Sequence, residues 1–158
     1  MAFGRGCAAV LVVLALGACT SPRETPSTPA NAGLGDAPTQ STVTVTEAEF
    51  VSPSGNIGCR VDKDGARCDI VKRSWQPPLR LLADCELDWA GGVSVFKAEK
   101  AAFTCAGDTM MGAKETLKYG SAVRVGDFTC GSDPKAIRCE NTATGHGFTL
   151  SVQQYTLF

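Results

Sequence analysis

CRVDKDGARC, residues 59–68, is a stretch in which two cysteines enclose eight residues around a Lys-Asp-Gly run. Asp and Gly favour tight turns, so the flanking residues are expected to form a β-hairpin whose cysteines face each other. CGSDPKAIRC, residues 130–139, repeats this spacing around an Asp-Pro-Lys run. Two such hairpins predict an antiparallel β protein held together by disulfides.

The chain contains eight cysteines, and six of them follow residue 45. An even set in the folded part indicates three disulfides if the compartment oxidises thiols. Six cysteines allow 15 pairings, and the hairpin spacing selects one of them. The predicted pairs are Cys59–Cys68, Cys85–Cys105 and Cys130–Cys139. No two of these cysteines have the close spacing of zinc ligands, so we predict neither a metal nor a cofactor.

Short β-type runs separated by turn residues fill the chain from about Thr46 to Phe158. Many short strands at this spacing predict an all-β fold, a small antiparallel sandwich or barrel. One segment, Met110–Leu117, has a composition that suits either a helix or a loop. The expected strands are Ile57–Val61, Arg67–Val71, Val93–Phe96, Ala101–Cys105, Ala122–Val125, Asp127–Cys130, Ala136–Glu140 and Phe148–Val152.

The first 18 residues have the pattern of a secretory signal peptide. MAFGRG, residues 1–6, carries one positive charge, and residues 7–18 are apolar or small. A helix of that apolar length spans about 18 Å, which is too short for a bilayer core of about 30 Å. Residues 1–18 therefore match a cleavable signal rather than a transmembrane helix.

Residues 19–45 are rich in Pro, Ser and Thr and contain little to bury. Such a segment cannot offset the entropy cost of ordering itself. We therefore expect a flexible tether that connects the N-terminus of the mature chain to a β domain over residues 46–158.

The run Leu16-Gly17-Ala18-Cys19 resembles the lipobox of bacterial lipoproteins. The resemblance implies that the Cys19 thiol carries a diacylglycerol and that cleavage occurs just before this residue. Two acyl chains suffice for stable anchoring. We therefore expect an extracytoplasmic protein anchored by lipid to the bacterial cell membrane; the alternative is an ordinary secreted protein with a chance cysteine.

The charge balance argues against nucleic acid as a partner. The chain has 15 basic and 16 acidic residues, a net charge of −1. Phosphate neutralisation needs a basic surface, which this composition does not provide.

FVSPSGNIGC, RCDI, FTCAGDT, LKYG and RCENTATGHGFTLSVQQYTLF together resemble an uncharacterised family of secreted and lipid-anchored actinobacterial domains. The resemblance runs from about Phe50 to Phe158. It implies an envelope-exposed, disulfide-bonded domain, and it assigns no catalytic residue.

His146 is the only histidine, and it lies between two glycines. One interpretation makes it a general base with Asp108 as the orienting acid. The other, which we favour, makes it a turn residue, because no nucleophile motif accompanies it. Ser54 in SPSGN is likewise expected to belong to a tight turn rather than to act as a nucleophile.

Large aromatic residues lie in segments whose sequence predicts loops: Trp75, Trp89 and Tyr119. Aromatic residues on loops often form binding surfaces, and small β domains also use such rings to cover their cores. Both interpretations stay open, and His146 belongs to the same possible surface.

These observations favour a binding or accessory role, in which the domain contacts another envelope protein or a wall component. One alternative is an envelope hydrolase that uses His146 and Asp108, and a folded His146→Ala variant with an unchanged phenotype would exclude it. Another is a structural or antigenic surface protein.

Overall fold

The computed structural model describes residues 40–78, 85–87 and 91–158, and it is all-β. The predicted signal peptide, Cys19, most of the predicted tether and Trp89 lie outside the described residues. The strands in chain order are β1 (Ser41–Thr44), β2 (Ala48–Val51), β3 (Ile57–Val61), β4 (Gly65–Ile70), β5 (Val93–Phe96), β6 (Ala102–Phe103), β7 (Ser121–Val125), β8 (Phe128–Ser132), β9 (Ile137–Asn141), β10 (Gly147–Leu150) and β11 (Tyr155–Leu157).

The strands form two sheets. One sheet has the order β1-β7-β8-β9-β10-β11, and the other has the order β2-β3-β4-β5-β6. Neighbouring strands are antiparallel except for β1 and β7, which run parallel. The predicted all-β, mainly antiparallel fold is therefore confirmed, and of the two expected forms, sandwich or barrel, it is the sandwich, with one parallel edge strand.

The core lies between the two sheets and follows from strand alternation. In β9, Ile137, Cys139 and Asn141 are buried, while Arg138 is exposed and Glu140 is partly so. Successive side chains point to opposite faces of a strand, so one face of each sheet joins the core. The core residues form one contiguous cluster that draws on both sheets.

Two of the predicted disulfides meet at the centre of this core. Cys59 pairs directly with Cys68 across β3 and β4, and Cys130 pairs with Cys139 across β8 and β9. All four side chains are fully buried. The Sγ atoms of Cys68 and Cys139 lie 3.6 Å apart, so one bridge from each sheet packs against the other.

The third bridge joins Cys85 to Cys105, as predicted, with Cα atoms 5.8 Å apart. Cys85 is partly buried and Cys105 is exposed. It fastens the segment between β4 and β5 to the chain after β6.

All eight expected strands occur, with ends shifted by at most two residues, but β1, β2 and β11 were not predicted. β1 lies within residues 41–44, inside the predicted tether, so the folded part starts before residue 46. The sequence contains no alternating pattern that would predict β1, because none of its side chains is buried. Backbone hydrogen bonds to β7 hold this strand in place.

The segment Met110–Leu117 contains no helix. Its end forms a single parallel bridge with β2, between Thr116 and Val51. The Val51 amide donates to the Glu115 carbonyl at 2.8 Å, and the Leu117 amide donates to the Val51 carbonyl at 3.0 Å. Of the two interpretations left open, the loop is therefore correct.

Candidate functional site

A cleft of about 460 Å³ opens on the outer face of the six-stranded sheet, and we call it the sheet cleft. It is lined by side chains of β8, β9 and β10 that alternate with core residues and therefore point away from the core. Its volume lies within the ~300–1,000 Å³ range of small-ligand sites. The lining residues that bear on its chemistry are Gln40, Thr129, Gly131, Arg138, Glu140 and Thr149.

Gly131 forms part of the floor of the sheet cleft. A side chain at this position would collide with the amide of Gln40, which lies across the sheet. The Gln40 Nε2 atom donates to the Ser121 carbonyl oxygen at 3.2 Å. The residue just before β1 therefore forms one wall of the cleft.

The lining includes three charged residues: Asp133 lies in the β8–β9 turn, and the other two, Arg138 and Glu140, form an ion pair. They lie two positions apart on β9, so they share the outer face, and the Arg138 guanidinium donates to the Glu140 carboxylate. The guanidinium carbon also lies 4.1 Å from the centroid of the Phe158 ring. The backbone of Phe158 is fixed by paired bonds with Gly147 at 2.8 Å and 2.9 Å.

The sheet cleft offers neutral hydrogen-bonding groups beside its charged ones. The hydroxyl groups of Thr129 and Thr149 form no hydrogen bond within the described part of the chain, and each can donate or accept. Among the described residues that line it there is no histidine, cysteine or lysine. This chemistry suits the binding of a hydroxyl-rich molecule.

A buried ion pair lies on the outer face of the five-stranded sheet. Arg67 donates to both carboxylate oxygens of Asp69 at 3.0 Å, and the Met110 amide donates to Asp69 Oδ2 at 2.9 Å. The Asp69 residue is only 1% exposed. Arg67 also donates to Asp108 Oδ1 at 2.7 Å. The network therefore holds the segment around Asp108 and Met110 against the sheet.

These contacts shift two pKa values. The hydrogen bond and positive charge of Arg67 lower the pKa of Asp108. Burial opposes the charge of Arg67, but its hydrogen bonds with Asp69 and Asp108 outweigh this effect and raise its pKa. Both groups stay charged near neutral pH, so Asp108 serves as an ion-pair partner rather than as a proton carrier.

The structure does not bring Asp108 and His146 together as a catalytic pair. Asp108 is bonded to Arg67 of β4, in the five-stranded sheet. His146 lies in the β9–β10 turn of the other sheet, where its carbonyl oxygen accepts from the Asn141 amide at 2.8 Å. Gly145 before it has a positive φ of 74°, as the turn requires. No hydrogen bond joins the two side chains within the described residues.

Trp75 covers the core rather than projecting from it. Its ring packs against Tyr155 at 4.8 Å and Phe103 at 6.1 Å between centroids. Its Nε1 atom donates to the Ser151 carbonyl oxygen at 2.9 Å. Of the two interpretations left open for Trp75, this geometry favours a lid on the core.

Tyr119 remains 44% exposed, beside a second cleft of about 170 Å³ that includes Ser54 and Lys135. The Ser54 hydroxyl lies 3.0 Å from that of Ser52 and 3.4 Å from the Asn56 amide. These bonds stabilise the β2–β3 turn, in line with the turn expected from SPSGN. Tyr119 is therefore an accessible ring at one end of the sandwich.

The sulfur atoms of Cys59, Cys68 and Cys139 lie within 4.8 Å of one another. Each is bonded in a disulfide, and a disulfide provides no thiolate for a metal ion. The cluster is therefore a packing contact.

Residues 34–158 match a protein family described as DUF6636, a family of unknown function. No curated protein and no solved structure gives a significant match to the chain. Within the described part of the chain, no helix has the length and hydrophobicity of a membrane span. The family match covers the whole sandwich, including the sheet cleft.

Proposed function

We propose a function from the residues themselves, since this chain belongs to the DUF6636 family and that family has no known function. The protein is an extracytoplasmic envelope lipoprotein of binding or accessory type. Cys19 carries the lipid, the following residues tether the domain, and the sheet cleft binds a hydroxyl-rich component of the cell wall.

The binding role depends mainly on one observation, the polar side chains among the residues that line the sheet cleft. Arg138 and Glu140 place donors and a carboxylate acceptor side by side, and Thr129 and Thr149 add hydroxyl groups. The Phe158 ring packs under the Arg138 guanidinium and helps to position it at the cleft. A wall glycan presents many hydroxyl groups that can bond with these donors and acceptors.

The location is supported by two independent features. The run Leu16-Gly17-Ala18-Cys19 follows an apolar segment of signal-peptide length. The three disulfides of the domain are of the kind that persists in oxidising compartments.

Sedimentation with insoluble wall glycan tests the binding role, using the mature chain with a Cys19→Ser substitution so that no lipid contributes. We expect Glu140→Gln to raise the Kd about tenfold, or ~1.4 kcal/mol, because a charged acceptor is replaced by a neutral amide. Thr149→Val should also weaken binding, since it removes a hydroxyl group at nearly constant shape.

Glu99→Gln is the matched control, because Glu99 is exposed and does not line the sheet cleft. Equal affinity of all three variants and the parent chain, or no sedimentation of the parent, would rule out the sheet cleft as a glycan site.

Mass measurement of the protein extracted from membranes tests the anchor separately. The expected species starts at Cys19, carries the mass of a diacylglycerol and contains no free thiol. An unmodified N-terminus at Thr20, or a chain that fractionates with the soluble proteins, would contradict the anchor.

A further inference from the structure

β1 presents an unpaired strand edge. The Ser41 amide donates to the Gly120 carbonyl just before β7 at 3.0 Å, and the Val45 amide donates to the Arg124 carbonyl of β7 at 2.9 Å. Alternate residues of a strand face opposite edges, so the amides and carbonyls of Thr42 and Thr44 point away from β7. Among the described residues no strand pairs with this second edge, and all four residues of β1 are exposed. Such an edge can accept another strand.

An apolar groove of about 290 Å³ lies next to the end of β1. It is lined by Val45, which follows β1, by Val123 of β7, and by residues of β2 and of the segment after β6. Phe50 and Leu117 contribute buried side chains to it, with 3% and 8% exposure. Val45 lines the groove and is 37% exposed, and Val43 of β1 is 58% exposed. The groove is therefore open to solvent and has room for apolar side chains.

The groove has an acidic lining. It includes Glu47, Glu49 and Glu115, and within the described part of the chain no lysine or arginine lines it. Arg60 approaches Glu49 at 3.2 Å and Glu47 at 4.0 Å, from outside the groove. The Glu47 and Glu49 side chains remain 73% and 58% exposed. An occupant with positive charge therefore gains electrostatic complementarity.

We propose that β1 and this groove bind an extended basic segment of a partner protein, which adds a strand to the six-stranded sheet. Its backbone pairs with Thr42 and Thr44, its alternate apolar side chains enter the groove, and its lysine or arginine side chains face the glutamates. A second copy of the chain is disfavoured, because pairing β1 with β1 would bring two acidic grooves together. This site is separate from the sheet cleft and does not depend on its role.

An octapeptide of alternating lysine and valine, acetylated and amidated, is the probe. Titrated into the isotope-labelled mature chain with Cys19→Ser, it should produce saturable amide shifts at Thr42, Thr44 and Val45. The apparent Kd should rise with added salt, because the ion pairs are exposed. An octapeptide of alternating glutamate and valine is the matched control, and it should not bind.

Two variants separate backbone pairing from charge. Thr42→Pro removes an amide on the free edge, a position where strands tolerate proline, and should abolish the shifts. Glu47→Gln combined with Glu115→Gln should weaken binding about tenfold, while Glu99→Gln should leave it unchanged.

Some results would overturn the proposal: no saturable shifts, shifts outside β1 and the groove, or the same affinity in Thr42→Pro. A dimer of the free chain that involves β1 would assign the edge to a second copy instead. Binding seen only after deletion of residues 20–39 would assign the groove to the chain's own segment.

Discussion

Asp69 accepts three hydrogen bonds while nearly enclosed, so its loss should be costly. Asp69→Ala leaves the largely buried Arg67 with only the exposed Asp108 as a carboxylate partner. Removing one member of a buried pair typically costs ~3–5 kcal/mol of the free energy of unfolding. Urea unfolding measures this change. Asp108→Asn is the matched control and should lower the free energy of unfolding much less, because Asp108 is exposed. Equal losses of stability in the two variants would show that the burial of Asp69 does not set the size of the effect.

Asp108 should make the stability of the chain depend on acid. Its pKa in the folded state lies below the ordinary value of 3.8 because Arg67 binds the charged form. Its contribution is therefore fully present above the pKa of the unfolded chain and is lost as the pH falls through the folded-state pKa.

The measurement is the difference in Tm between the parent and Asp108→Asn, followed from pH 7 down to acid. The difference should be constant near neutral pH and shrink below about pH 4, close to the ordinary carboxyl pKa. A difference that persists or grows in acid would contradict the ion pair.

At the scale of residues, the sequence names the groups with distinctive chemistry but not the residues that act together. His146 and Asp108 stand out by type, yet each has a structural partner in a different sheet. Arg138 and Glu140 flank Cys139, so alternation alone places them outside the core. Gln40 lines the same cleft as these two residues only because β1 pairs with β7, and no local sequence pattern predicts that pairing.

At the scale of elements, the segment after β6 packs closely on β3 only because residue 58 is a glycine. The outer face of β3 at Gly58 lies under the Met110 carbonyl group, and a Cβ atom there would lie 2.9 Å from Met111 Cα. Gly58→Ala should therefore destabilise the domain by about 1–3 kcal/mol through overpacking.

Gly112→Ala is the matched control for this substitution, because a Cβ atom at Gly112 meets nothing within 4 Å. Thermal or urea unfolding compares the two variants. If Gly58→Ala is as stable as Gly112→Ala, the segment does not press on β3 as the structure indicates.

The predictability of the strands follows from what holds each one. β3, β4, β8 and β9 bury alternate side chains and carry cysteines, so their pattern is visible in the sequence. β1 and β11 bury no side chain completely, so both depend on backbone pairing, β1 with the sequence-distant β7 and β11 with the preceding β10. β2 has a single fully buried residue, Phe50, which is too little to reveal a strand.

At the scale of the whole molecule, the three bridges should differ in their resistance to reduction. Cys85 is partly accessible and Cys105 is exposed, whereas the four cysteines of the core bridges have no exposed surface. A thiolate reductant must reach a sulfur atom to attack it. Mild reduction of the folded chain should therefore open Cys85–Cys105 first.

Alkylation and mass measurement count the opened bridges. The expected product of mild reduction carries two alkyl groups, on Cys85 and Cys105, and six should appear only when urea accompanies the reductant. Labelling of Cys59 or Cys139 in the folded chain would mean that the sandwich opens more readily than its packing indicates. Unfolding without reductant provides the control for alkylation of pre-existing free thiols.

For the extracytoplasmic location proposed above, the contact between Cys68 and Cys139 bears on the order of export and folding. Once the sheets close, these sulfur atoms are sealed from any oxidant, so both hairpin bridges have to form before the sandwich does. A route that exports finished, folded domains would deliver thiols that no oxidase outside can reach. The architecture instead suits threading through the membrane as an open chain, with each hairpin oxidised as it emerges and the sandwich assembled last.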